Sequence, residues 1–298
     1  MRPPWAQDNN KVDSPELIAP AGSAPMPLTN SPPQDPTSTM PLSNQSSLLY
    51  LWDQRTLFLG PLAELLELSQ AAATLVIGLD HEFVLESAGE LVECRSVLLP
   101  AGCRVRLQPG QNRLAVWYLD PFGADFGALR GRMARQEAGL LIELEQEAGW
   151  IEQHLDLLQE AATPAQAYAL IEQLLGPADA SAAPFKLDAR IIRVVELIKR
   201  DVSNNLSARY LASQVDLSEP RLSQLFKDTL GVPIRRYRQW HRLFVTAVGV
   251  TRGLSLTTAA LEAGFTDSAH FSRTFRSILG MTPSAMLSPR GKIRMHAG

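Results

Sequence analysis

Cysteine and histidine are scarce in this chain. Only two cysteines, Cys94 and Cys103, stand among 298 residues, and of the five histidines only His81 precedes His154. Two thiols do not make a disulfide scaffold, so a reducing, cytoplasmic setting is expected. They read as small packed residues flanking a turn, with a redox-sensing pair as the alternative. No His/Glu set has ligand spacing, so neither a metal nor another cofactor is expected. No run of about 18 apolar residues occurs, which argues against a helical membrane span. A basic start followed by an apolar core, the mark of a secretory leader, is also missing. Large apolar side chains are few in residues 1–46, which hold 10 of the 21 prolines. Such a segment cannot bury a core, and it reads as a disordered tail.

The length suggests about two domains. Charge divides the chain in the same way. The whole carries −3, but residues 186–298 sum to +10 and residues 1–185 to −13. A basic domain joined to an acidic one fits phosphate binding by the former alone. The run Arg235-Arg236-Tyr-Arg238 belongs to that surplus, and its bland alternative is a solvated helix face.

The basic part contains one pattern twice, over about 207–231 and 255–280. Each copy reads as a short helix, a tight turn, then a longer basic helix ended by glycine, the build of a helix-turn-helix. Ser207 and Ser255 stand where N-caps belong. Gly264 suits a positive φ at the second turn, and Asp216 holds the matching place in the first. The apolar stripes of the second helices are Leu222, Leu225, Phe226 and Leu230, and Phe271, Phe275, Ile278 and Leu279. The outward positions are then Pro220, Ser223, Gln224 and Lys227 in one helix and Ser268, Ala269, Ser272, Arg273 and Arg276 in the other. Arginine, glutamine and serine all pair with base edges. Gly231 and Gly280 stop the helices. Between the copies, Ile234 to Thr251 predicts one helix of about 18 residues, roughly 27 Å long. That length suits two adjacent major grooves. Gly249 inside it costs about 1 kcal/mol against alanine.

The segment Ala260-Leu-Glu-Ala-Gly-Phe-Thr-Asp-Ser-Ala-His-Phe-Ser-Arg-Thr-Phe-Arg-Ser-Ile-Leu-Gly-Met-Thr-Pro283 resembles the signature of the AraC/XylS family of bacterial transcription regulators. The resemblance covers Asp188 to Leu287 and implies a DNA-binding domain over 188–289 with a tail over 290–298. It also implies DNA contacts from Arg221, Ser223, Gln224, Lys227, Ser268, Ala269, His270, Ser272, Arg273 and Arg276. Pro220 cannot read a base, so phosphate contact and DNA shape matter more for the first unit.

Ahead of this lie short strand-like runs at 48–52, 74–79, 82–86, 96–99, 104–108 and 114–119, separated by turn residues. They predict a small barrel or sandwich over 47–125. Ser96-Val-Leu-Leu-Pro-Ala-Gly-Cys-Arg-Val105 resembles the cupin-like sensor barrel common in the same family, although Val105 stands where a metal-binding cupin places histidine. His81 reads as a turn residue. Residues 126–176 read as amphipathic helices, broken and restarted at Thr163-Pro164, which the resemblance implies to be dimerising; the alternative is packing on their own barrel. Residues 177–187 read as a linker.

The expected fold is thus α+β: a cupin-like β-barrel with a helical hairpin, then an all-α domain of two helix-turn-helix units joined by a long helix. The expected function is a sequence-specific DNA-binding regulator, an activator, with no enzyme activity, acting as a homodimer on double-stranded promoter DNA with RNA polymerase as partner. The alternatives are a cupin-type enzyme fused to a DNA-binding domain, which lacks a metal triad, and control by a regulatory protein instead of a small-molecule effector. An apolar, filled barrel interior favours the protein partner; a polar-lined cavity favours the ligand.

Overall fold

The computed structural model describes residues 47–62, 65–68, 71–120, 122–160, 162–176, 188–279, 283 and 293–298. The expected disorder of 1–46 and the linker at 177–187 lie outside the described residues.

Nine strands come first: β1 (Ser47–Leu51), β2 (Thr56–Leu62), β3 (Leu66–Leu68), β4 (Thr74–Gly78), β5 (Phe83–Ser87), β6 (Glu90–Cys94), β7 (Ser96–Leu99), β8 (Val105–Gln108) and β9 (Asn112–Tyr118). Then follow α1 (Ala124–Arg130), β10 (Met133–Glu137), β11 (Leu140–Leu144), α2 (Glu147–Glu160) and α3 (Pro164–Leu175). The C-terminal part holds α4 (Ala189–Arg200), α5 (Ala208–Ser213), α6 (Glu219–Leu230), α7 (Ile234–Thr251), α8 (Leu256–Glu262), α9 (Ser268–Leu279) and β12 (Ile293–Ala297).

The strands do not pair into a closed barrel. They form an eight-stranded sheet, β10-β11-β7-β4-β9-β2-β1-β12, and a four-stranded sheet, β3-β8-β5-β6. The large sheet is covered on both faces. Leu48 and Tyr50 of β1, Leu75 and Ile77 of β4, and Trp117 of β9 point to one side, against Leu129, Trp150, Ile151, Leu170, Ile171 and Leu174 of α1–α3. Leu49, Leu51, Val76, Val116 and Tyr118 point to the other side, into a core shared with the small sheet. Burial on both faces explains why these strands read as unbroken apolar runs. In the small sheet only one face is dry. Phe83 and Leu85, and Val105 and Leu107, are buried, while Glu67, Arg106 and Glu93 are exposed.

Residues 126–176 are not wholly helical. Leu140–Leu144 is strand β11, with Leu140, Ile142 and Leu144 buried and Glu143 exposed, an alternation of period two. It pairs with β10 through Ala138 and Gly139, both at positive φ (48° and 78°), the geometry of a tight two-residue hairpin. Alanine at such a turn gives no sequence signal. After it, α3 restarts at Thr163-Pro164 with a capping box between Thr163 and Gln166. Helices α2 and α3 pack on their own sheet, and Leu155, Leu157 and Leu158 of α2 stay only partly buried.

The tail expected at 290–298 is also corrected. Residues 293–297 form β12, which adds to the β1 edge in parallel, Ser47 opposite Ile293 and Leu51 opposite Ala297. The ring of His296 stacks on Tyr50 at 5.2 Å. A strand that pairs only with residues some 240 positions away has no local signature.

Candidate nucleic-acid interface

Each unit is built by local chemistry. Ser207 Oγ accepts the Tyr210 N–H at 3.0 Å and starts α5. Ser218 Oγ accepts the Arg221 N–H and starts α6, whose first turn holds Pro220 where its missing N–H is not needed. In the second unit Ser255 Oγ accepts the Thr258 N–H at 3.1 Å. Asp267 accepts the His270 N–H at 2.6 Å, a bond that holds this carboxyl below the usual carboxylate range. The turn residues match as the repeat implies, with Asp216 at φ 52° and Gly264 at φ 88°. Gly264 also lies against the backbone of Ser203, where an added Cβ would come within 2.7 Å of the carbonyl oxygen. The loop between α4 and α5, just ahead of the first unit, is thereby pressed on the turn of the second.

The connecting helix α7 spans 18 residues, Ile234–Thr251. Leu222, Phe226 and Leu230 are buried on α6, leaving Arg221, Ser223, Gln224 and Lys227 exposed. On α9 Phe271, Thr274, Phe275, Ile278 and Leu279 are buried, leaving Ser268, Ala269, Ser272, Arg273 and Arg276 exposed. Two candidates differ from a free reading position. The Gln224 amide donates to Asp228 at 2.7 Å. His270 is half-buried, with Nδ1 3.2 Å from Thr266 Oγ1 and its ring edge on Phe265.

Three arginines of α7 turn toward the protein and do not form a solvated face. Arg236 donates to Ser277 Oγ and to the Ser277 carbonyl, at 2.8 and 2.6 Å. Arg238 donates to Asn205 Oδ1 and to the Leu206 carbonyl. Arg242 donates to the carbonyls of Val202 and Ser203. They bind carbonyls of the loop between α4 and α5 and of the last turn of α9, and of the run only Arg235 is left fully exposed.

Sequence reasoning missed what α9 faces. Arg273, Arg276 and Ser277 line an open cavity of about 680 Å³ together with Glu67, Glu86 and Arg106 of the four-stranded sheet and Arg104 just ahead of β8. The lower half of α9 joins the same core as the two sheets, through Phe271, Phe275, Ile278 and Leu279. The second reading helix therefore sits beside the N-terminal sheets, while the first has a core of its own with α4 and α7.

Other candidate chemistry is quiet. His81 places its ring nitrogens 2.9 Å from the carbonyls of Glu82 and Gln111, in an exposed turn. Both cysteines are free; burial pushes the Cys94 thiol up to about 12 and raises that of Cys103, so neither is a reactive thiolate near neutrality. Among the described residues no group of three His, Cys, Asp or Glu could hold a metal ion, and no helix is long and apolar enough to cross a membrane.

Residues 211–288 match the model of a helix-turn-helix domain family. The chain is 35% identical over 106 residues to the bifunctional transcriptional activator/DNA repair enzyme Ada of Escherichia coli, covering 36% of this chain and 29% of that protein. It is 30% identical over 100 residues to the arabinose operon regulatory protein of Escherichia coli, covering 33% of this chain and 34% of that protein. The chain thus spans about a third of the length of these curated relatives. Solved structures of ToxT from Vibrio cholerae share the overall fold. An apo form aligns with TM-score 0.52 at 14% identity over 78% of this chain and 97% of that one, and a form bound to unsaturated fatty acid with TM-score 0.51 at 12% over 79% and 95%.

Proposed function

We propose that this chain, whose C-terminal third is an AraC-type double helix-turn-helix domain, is a sequence-specific DNA-binding transcription regulator controlled through its N-terminal sheets. One observation carries the reading: two capped units in one chain, joined by the 18-residue α7, each turning the apolar face of its second helix inward and its polar face outward. On α6 the contacts are assigned to Arg221, Ser223, Gln224 and Lys227, and on α9 to Ser268, Ala269, Ser272, Arg273 and Arg276, with His270 shaping the start of α9. Activation is supported by the transcriptional activator among the relatives, and RNA polymerase is the partner that activation would engage. The chain acts in the cytoplasm at the nucleoid, catalyses no reaction, and pairs as a homodimer through α2.

The facing sheets are read as an opened, cupin-like sensor. Their shared interior is filled by apolar side chains, and the large polar cavity lies outside it, beside α9. The filled interior speaks for a regulatory protein and the charged cavity beside α9 for a small-molecule effector. The effector is preferred because the cavity lies against a reading helix, and a ToxT structure is bound to a small molecule.

The test is selection of full-length protein on random duplexes, followed by titration of the enriched sequence. Affinity should fall steeply with salt. Arg273→Ala should cost about 1–3 kcal/mol on the selected sequence and relax one base position, while Lys227→Ala should weaken all sequences alike. Salt-insensitive binding, or equal losses of Arg273→Ala on selected and random DNA, would refute the assignment.

A further inference from the structure

We propose that the cavity between the four-stranded sheet and α9 binds a small, multiply charged anion, a phosphorylated or polycarboxylate metabolite, which holds α9 against the sheet. The regulatory half of this inference rests on the DNA-reading role of α9; the binding half does not.

The cavity, about 680 Å³, is within the range of small-molecule sites. Its lining carries five arginines and two glutamates. The glutamates do not balance the arginines, because both accept from Arg106 alone, Glu67 and Glu86 each at 3.3 Å. Arg104, Arg236, Arg273 and Arg276 then supply a concentrated positive field on one concave wall. Arg236 is held there by Ser277, which ties the start of α7 to the last turn of α9. Burial first, and then the like charge of Arg104, lower the pKa of Arg236, and both guanidinium groups line this one cavity. An anion between them relieves that repulsion, and each planar guanidinium can pair two N–H groups with phosphate or carboxylate oxygens.

DNA is the obvious rival for these charges. The geometry disfavours it as the occupant here, since Arg106 lies on β8 and Arg104 just ahead of it, both off the reading helices. The two uses are instead exclusive. Arg273 and Arg276 cannot grip an anion beside the sheet and a base or phosphate in a groove at once. Bound anion therefore favours the closed seam and lowers affinity for DNA, in proportion to its preference for that state.

The experiment titrates pyrophosphate, and separately citrate, into full-length protein without DNA at fixed ionic strength, by calorimetry. Saturable binding of one anion per chain is expected. Arg104→Ala should weaken it about tenfold or more, since a charge-assisted pair is lost. Arg200→Ala, an exposed arginine of α4 outside the cavity, should leave it unchanged. The stronger of pyrophosphate and citrate names the ligand as phosphorylated or carboxylic. On the selected duplex, saturating anion should weaken the wild type, whereas Arg104→Ala should bind DNA normally and lose most of that sensitivity. No saturable binding, or equal losses in Arg104→Ala and Arg200→Ala, would overturn the site. Arg104→Ala that weakens DNA binding without anion would make the cluster a DNA contact. Site binding with no effect on DNA would overturn the regulatory half alone.

Discussion

His154 lies fully buried on α2, between Trp117 and its own helix backbone. Trp117 Nε1 donates to its Nε2 at 2.8 Å, and its Nδ1 donates to the Trp150 carbonyl at 2.6 Å. Both ring nitrogens are thus satisfied by the neutral form. Burial lowers its pKa from 6.5 to about 4, and that of His241 likewise to about 4. The unfolded chain therefore takes up these protons first. Stability is full above about pH 6.5 and falls as pH drops toward 4, by up to about 3 kcal/mol for His154. Chemical denaturation from pH 7 to 4 should show that slope, and His154→Gln should flatten part of it. An unchanged slope in the variant would place the acid sensitivity elsewhere. Nothing in the sequence around His154 marks it; its partner Trp117 is on β9, 37 residues earlier.

Among the elements, α7 and α8 cross where Gly249 meets Ala259. A Cβ on Gly249 would stand 2.9 Å from that of Ala259. Helix propensity alone says that Gly249→Ala gains about 1 kcal/mol. The crossing says the reverse, a loss of about 1–3 kcal/mol as the helices part. A denaturant midpoint that rises in Gly249→Ala would mean the contact is looser than this. Strand β12 makes a second element-scale case. Removing residues 293–298 unpairs the outer edge of β1 and the Tyr50–His296 stack. The melting temperature should fall by roughly 3–6 °C, for a loss of about 1–2 kcal/mol. An unaltered melting curve would show that the strand adds nothing to the sheet.

At the scale of the whole molecule, the cores do not follow the domain boundary. The first helix-turn-helix unit packs with α4 and the start of α7, and takes only Ala71 from the N-terminal part as a fully buried neighbour. The second unit shares one continuous core with both sheets. The two reading helices are therefore held differently, α6 by its own unit and α9 by the sheets, and a change at the sheets is felt by α9. Helices α2 and α3 spend most of their apolar surface on the large sheet. The proposed dimer then depends on the partly buried Leu155, Leu157 and Leu158. Sedimentation of the full chain at micromolar concentration should give the mass of two chains; a monomer both free and on DNA would leave these helices as sheet packing alone.

Much of this was legible in the sequence because it is locally encoded. The serine caps, the paired turn residues Asp216 and Gly264, the bounds of α7 and the outward faces of α6 and α9 each depend on residues within a turn or two. The apolar runs of β1, β4, β7 and β9 read as strands, though not as strands covered on both faces. What the tertiary structure alone decided depends on partners far along the chain. Leu140–Leu144 is a strand because β10 and β7 flank it, and residues 293–297 are a strand because β1 offers an unpaired edge. Gly249 is needed because α8 crosses there. Arg236 turns inward to the last turn of α9, and Arg238 and Arg242 to the loop between α4 and α5, which folds back beside α7. Arg273 and Arg276 face a sheet as well as solvent, since the apolar stripe beneath them completes a core that begins more than 200 residues earlier. Local periodicity shows which face of a helix must be buried, but not what buries it.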